Sequence, residues 1–170
     1  CRTTLLEQEG GKLARRLSGG GAVFHDLGNL NFTFLMPQDC FDKTRQFSVI
    51  LDTLRTLGLP ASLSGRNDMT LEGKKFSGSA FYKNGRQAYH HGTLMVDADL
   101  EKLGRYLSPS KAKLQSKGVD SVRSRVVNLK ELNPEITVAS LKSALIHAFA
   151  FLYRPPEQLI LTKEDEEIID

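Results

Sequence analysis

The sequence has no run of eighteen apolar residues, so it offers no candidate for a membrane-spanning helix. It has only two cysteines, Cys1 and Cys40, and neither stands at metal-ligand spacing, so both read as reduced thiols of an intracellular protein. Neither sign of charge is in real excess: 23 basic against 20 acidic residues leave a net charge of +3, too little to point to nucleic acid. The opening residues, Cys1 to Gly11, lack the apolar core of a signal peptide. Internal repeats and low-complexity stretches are missing too. What remains is 170 residues at 40% hydrophobic, enough for one domain that buries its core without a metal or disulfide staple. The first residue is Cys rather than Met, as in a piece of a longer protein.

Patterning predicts an α+β fold with a mixed, largely antiparallel sheet and packed helices, because strands and helices mingle without strict βαβ alternation. Asn29 to Met36 alternates with Leu30, Phe32, Phe34 and Met36 on one side, the mark of a strand with one buried face. Met69 to Glu72, Lys75 to Lys83 and Ala88 to Val96 are further strands, with Asn84-Gly85 as a hairpin turn between the last two. Weaker extended candidates are Lys12 to Leu17, Ala22 to His25 and Leu159 to Leu161. Asp42 to Leu57 and Thr137 to Tyr153 carry apolar stripes at helical spacing, and Asp99 to Leu107 reads as a short helix. Ser108 to Val127 is rich in Lys, Arg and Ser and poor in large apolar residues, and reads as a long surface loop. The acidic run Glu164 to Glu167 reads as a solvated helix start or tail.

Three constellations could carry chemistry. Arg15-Arg16-Leu17-Ser18-Gly19-Gly20-Gly21 brings backbone N–H groups and two guanidiniums together, a cradle for phosphate or carboxylate. A flexible turn beside a solvated arginine pair would look the same, and no Gly-Lys-Ser/Thr follows to make it a Walker loop. Gly65-Arg66-Asn67-Asp68 precedes Lys74-Lys75-Phe76-Ser77-Gly78-Ser79-Ala80, where small neighbours leave room for a lysine to enter a pocket and stabilise developing charge. Strict alternation would put Lys75 on the face of Ser77 and Ser79 and Lys74 on the other. Spacing alone favours two surface lysines in a hairpin. His90-His91 lacks the i, i+4 partner of a zinc helix, and reads as one core histidine held by hydrogen bonds and one exposed; His25-Asp26 is structural or pocket-lining. No Gly-x-Ser-x-Gly elbow supports a hydrolase.

Taken in order, these pieces resemble the lipoate–protein ligase A family. R-R-L-S-G-G-G-A-V-F-H-D-L-G-N (Arg15 to Asn29), G-R-N-D (Gly65 to Asp68), K-x-S-G-S-A (Lys75 to Ala80), H-H-G-T-L (His90 to Leu94) and K-G-V-x-S-V-R-S-R-V-x-N-L (Lys117 to Leu129) follow as in that family. The resemblance implies a biotin/lipoate-ligase catalytic domain. Its implied chemistry is activation of lipoate by ATP and Mg²⁺ to lipoyl-AMP, then transfer of lipoyl to a lysine. Implied acceptors are lipoyl domains of 2-oxoacid dehydrogenase E2 subunits and the glycine-cleavage H protein. The expected setting is the cytoplasm, without nucleic acid or membrane. Carried over by residue, Lys75 is the catalytic lysine. Arg16, Ser18, Gly19, Gly20, Gly21, His25, Asn67, Asp68, Ser77, Gly78, Ala80 and His91 are implied to bind lipoate or adenylate, with Asp68 also a Mg²⁺ ligand. Lys111, Lys113, Lys117, Arg123 and Arg125 fall on the family's adenylate-covering loop.

Residues 1–154 are expected to be that catalytic domain without its N-terminal part, since only Cys1 to Ala14 precede the paired arginines. Residues 155–170 would be the domain end or the start of a linker to an accessory domain. Two rivals share the residues: an ATP-independent lipoyl or octanoyl transferase, for which Cys40 is the cysteine to inspect, and a ligase fragment that binds without turnover.

Overall fold

Alternation along β1, Asn29–Pro37, decides the two faces of the sheet. The computed structural model describes residues 1–65, 67–107 and 125–165. Among them, β1 joins β2 (Ser62–Ser64), β3 (Asp68–Leu71), β4 (Lys74–Lys83) and β5 (Gln87–Met95) in a five-stranded sheet of order β1-β5-β4-β3-β2. Every ladder in it is antiparallel, and one isolated parallel bridge joins Lys75 to Val126. The α+β expectation therefore holds. No helix among the described residues is long and apolar enough to cross a membrane.

The register assigns each side chain to a face. Leu30, Phe32 and Phe34 of β1 stand opposite Leu94, Gly92 and His90 of β5, and these in turn stand opposite Ser77, Ser79 and Phe81 of β4. This face is the core. Two helices cover it: α2 (Lys43–Thr56), through Phe47, Ile50 and Leu54, and α5 (Val138–Leu152), through Leu141. Each begins at a side-chain cap, Asp42 accepting from Arg45 N–H and Thr137 from Ser140 N–H. The α2 helix ends at Gly58, whose φ of +76° is a left-handed stop.

The described residues also include the short helices α1 (Thr3–Gln8), α3 (Leu100–Tyr106) and α4 (Leu129–Leu132). The α1 helix has no buried residue of its own. It is held from outside, by the Arg2 N–H to Tyr106 carbonyl bond and by Glu9 pairing with Arg105 and the Tyr106 hydroxyl. Three expected strands are not strands. Lys12 to Leu17 and Ala22 to His25 belong to an irregular segment, and Leu159 to Leu161 are exposed with no ladder to join. Most of the expected long loop, 108–124, lies outside the described residues.

Candidate active site

The face of the sheet turned away from the helices carries Asn31 and Thr33 of β1, His91 and Thr93 of β5, and Gly78 and Ala80 of β4, aligned by the register. Lys75 arrives on this same face through a β-bulge. Thr70 stands opposite Lys75 and Met69 opposite Ser77, so β4 holds one extra residue at Phe76. The bulge corrects the strict alternation expected above. Lys75 shares its face with Gly78 and Ala80, whereas Phe76 and Ser77, at 0% and 1% exposure, both enter the core. Ser77 is thus not a pocket residue, and Ser79 also lies on the core side.

Lys75 Nζ bonds Asp68 Oδ1 at 2.8 Å, and both side chains are about one-third exposed. The ammonium lies over Gly78: a Cβ added there would stand 2.9 Å from Nζ. Only glycine leaves that space. The Lys75 carbonyl accepts the Val127 N–H at 3.0 Å, and the Asn67 carbonyl accepts the Ser79 N–H at 2.8 Å. Both ends of the lysine's surroundings are thus fixed by main chain. A cation held by a single partly exposed carboxylate is available to an incoming anion.

The glycine segment closes over the same face. Ser18 is buried although its neighbour Leu17 is 81% exposed. Its hydroxyl shares a 2.5 Å hydrogen bond with His91 Nε2. Arg16 turns back on its own loop and donates to the carbonyls of Gly19 (3.1 Å) and Gly21 (2.7 Å). Gly20 has φ +117°, and a Cβ there would meet the Arg16 guanidinium at 2.6 Å, so this strap requires glycine. The far end of the loop is pinned by Asp26, which accepts from Gly28 N–H (2.9 Å) and Asp99 N–H (2.7 Å). Asp26 is therefore structural.

The histidines divide by face. His91 faces the site, and its pKa lies below the ordinary value because of burial, then Arg16, then His25. His25 keeps substantial solvent contact; its pKa is also lowered, by desolvation first and Arg16 second. A neutral imidazole at position 91 is the form that can accept a hydroxyl proton. His90 faces the core at 0% exposure, with Nδ1 3.1 Å from Gln46 Oε1. Burial, Lys43 and His91 lower its pKa to about 3. One core histidine was foreseen; the other is half-buried and bonded rather than exposed.

Of the expected site residues, Arg16, Ser18, Gly20, Asp68, Lys75, Gly78, Ala80 and His91 meet on one side of the sheet, with Gly19, Gly21, His25 and Asn67 beside them. Arg66 lies outside the described residues, as do Lys111, Lys113, Lys117 and Arg123. Tyr82 and Tyr89, which lie outside the motifs, also face this side, as does Thr93 of H-H-G-T-L. Hairpin parity could have found them: pairing about Asn84-Gly85 puts Tyr82, Ala80 and Gly78 on one side whatever the even register offset. No group of three or more His, Cys, Asp or Glu side chains gathers as a metal cluster among the described residues. Cys1 and Cys40 are free and exposed.

The family profile described as the lipoyl protein ligase A/B catalytic domain matches residues 1–150. The chain belongs to this family. Over 154 residues it is 52% identical to lipoate-protein ligase A of Psychrobacter cryohalolentis, a match covering 91% of this chain and 45% of that protein. The chain thus spans about half the length of this curated relative. Two solved ligases superpose across 98% of it. The bi-partite lipoate protein ligase of Thermoplasma acidophilum, described with its E2 lipoyl domain, gives a TM-score of 0.82 at 29% identity over 68% of that chain. A lipoate-protein ligase A bound with ATP gives 0.80 at 28% identity over 69% of its chain. The chain thus matches the lipoyl protein ligase A/B catalytic domain in sequence and resembles two solved lipoate ligases in fold.

Proposed function

We propose that this chain carries the centre at which lipoate and ATP become lipoyl-AMP and pyrophosphate, and from which lipoyl passes to a lysine of an acceptor lipoyl domain. The observation that carries the reading is the Lys75 ammonium, held by Asp68 above Gly78 on the sheet face to which Ser18 and His91 fasten the loop strapped by Arg16. In the first step a lipoate carboxylate oxygen attacks the α-phosphorus and pyrophosphate departs. In the second, the acceptor amine attacks the acyl carbonyl, loses its proton, and AMP departs. Negative charge grows on phosphoryl oxygens in one step and on the carbonyl oxygen in the other. A lysine positioned between them stabilises both transition states more than either ground state.

The glycine loop supplies close main chain, and Ser18 with His91 holds that loop against the sheet. Asp68 and Asn67 suit Mg²⁺, which usually takes one or two carboxylates and completes its shell with phosphate and water. Bound there, the ion would neutralise phosphate charge. Asp68 would then exchange part of its bond to Lys75 for the ion, freeing the ammonium for substrate. The ATP-bound relative and the relative described with its E2 lipoyl domain support ATP and a lipoyl-domain acceptor. The glycine-cleavage H protein as a further acceptor, and the cytoplasm as the setting, belong to the same proposal.

The transferase reading needs a cysteine near the acyl group. Cys40 follows the Pro37 end of β1, whereas Lys75 lies beyond the Asn29 end, a strand length of roughly 30 Å away. That separation favours the ligase. The test mixes the chain with lipoate, labelled ATP and Mg²⁺ and follows lipoyl-AMP. Lipoate-dependent adenylate that falls on the order of 100-fold in Lys75→Ala is expected. Acyl transfer that proceeds equally without ATP would overturn the reading.

A further inference from the structure

The site face does not end at Ala80. Two residues further along β4 comes Tyr82, opposite Tyr89 of β5, which itself stands opposite Leu35 of β1. The two tyrosine rings stack, with centroids 5.2 Å apart and planes at 21°. The Tyr89 ring also meets the edge of His91 at 5.4 Å and 70°. From Lys75 outward the face therefore runs cation, Gly78, Ala80, then a double ring.

We infer that the Tyr82–Tyr89 stack is the end wall of the acyl site and sets the length of acid the chain accepts; the inference rests on the ligase reading above for what lies at the lysine end. The spacing supports a ruler. Gly78 and Tyr82 are four residues apart on one strand, about 13 Å at the usual rise. An acid whose carboxylate meets Lys75 over Gly78 extends above Ala80 toward the rings. Eight carbons in an extended zigzag, with bonds of about 1.5 Å, span roughly 9 Å and leave a van der Waals gap before the wall. Two further methylenes close that gap and run into the stack. Gly78 and Ala80 supply the floor, since larger side chains would fill the path. The wall also suits a dithiolane, because divalent sulfur packs favourably against aromatic rings. Tyrosines fit the place: each offers an apolar ring to the chain and a hydroxyl to water.

The experiment offers hexanoate, octanoate, lipoate, decanoate and dodecanoate to the chain and to Tyr82→Ala and Tyr82→Phe. Acyl-AMP formation and binding by thermal shift are read in parallel. In the parent chain, response should drop at least tenfold between eight and twelve carbons. In Tyr82→Ala the drop should vanish or move to longer acids, and Tyr82→Phe, which keeps the ring, should keep the cut-off. Tyr89→Ala is the second variant, should Tyr82→Ala lose its fold by circular dichroism. Adenylate formation with the cut-off unmoved in the alanine variants overturns the ruler and leaves the ligase intact. A ring-dependent cut-off in binding without any adenylate supports the ruler and removes the ligase reading. Neither binding nor adenylate with any acid overturns both.

Discussion

Acid should loosen this protein from beneath its site, because His90 is folded into the core as a neutral ring. Its imidazole sits among Phe32, Phe34, Phe47 and Phe81, with centroids 4.5–5.7 Å away. Burial, with help from Lys43 and His91, takes its pKa from 6.5 to about 3. A histidine pKa depressed by folding adds stability that is present above the unfolded value and is lost as pH falls toward the folded one. Between pH 7.5 and 5 the unfolded chain gains nearly a whole proton at this position and the folded chain almost none. Linkage converts that difference into about 2 kcal/mol of lost stability, and about 1.4 kcal/mol more for each further unit down to pH 3. Against a typical 5–15 kcal/mol for a domain, this is a large share. His25 and His91, whose pKa values are also lowered, add loss of the same sign. The assay is urea unfolding at a series of pH values, for the parent chain and His90→Phe. The variant keeps an aromatic ring in the cage and loses the Gln46 bond equally at every pH. Its stability should therefore fall by about 2 kcal/mol less than the parent's over the same range. Equal slopes in both proteins would refute the assignment of a buried, neutral His90.

Two further substitutions probe the lysine and its loop. Gly78→Ala places a methyl carbon 2.9 Å from Lys75 Nζ; because the end of a lysine is flexible, the fold should survive. The displaced ammonium should lower adenylate formation by about 10²-fold while urea unfolding changes little, since misplacing a catalytic group by about 1 Å has that effect. Asp26→Asn keeps one acceptor but turns an amide N–H toward the Gly28 or Asp99 N–H, which the carboxylate now satisfies. A loss of about 2 kcal/mol is expected, and thermal denaturation reads it directly.

How much could be read in advance depended on whether neighbours in sequence carried the signal. The stripe Phe47, Ile50, Leu54 and the caps Asp42 and Thr137 are local, and the two long helices form where they point. The alternating Leu30, Phe32, Phe34 similarly marks β1 and its buried face. Lys12 to Leu17 misleads because its composition suits an edge strand, yet the segment forms no ladder, and Ser18 and Arg16 bind across space instead. The α1 helix escaped notice for the converse reason. It has no apolar stripe, and its partners, Arg105 and Tyr106, lie far along the chain. The family resemblance named most of the residues that meet on the outer face of the sheet, but not the face each occupies. A bulge is a property of two strands in register, and β4 alone does not announce it.

That bulge makes the lysine's position a matter of counting. Without the extra residue at Phe76, alternation would turn Lys75 toward the side occupied by Met69, Leu71 and Leu94, where an ammonium finds no water. Where the Lys75 ammonium stands depends on the number of links between Lys75 and Gly78 as much as on what those links are. Side-chain exchanges at Phe76 or Ser77 can be absorbed by repacking, but a single codon gained or lost between them reverses the sheet's inside and outside for everything upstream. Insertions and deletions, rather than substitutions, are the changes this stretch of the gene can least absorb.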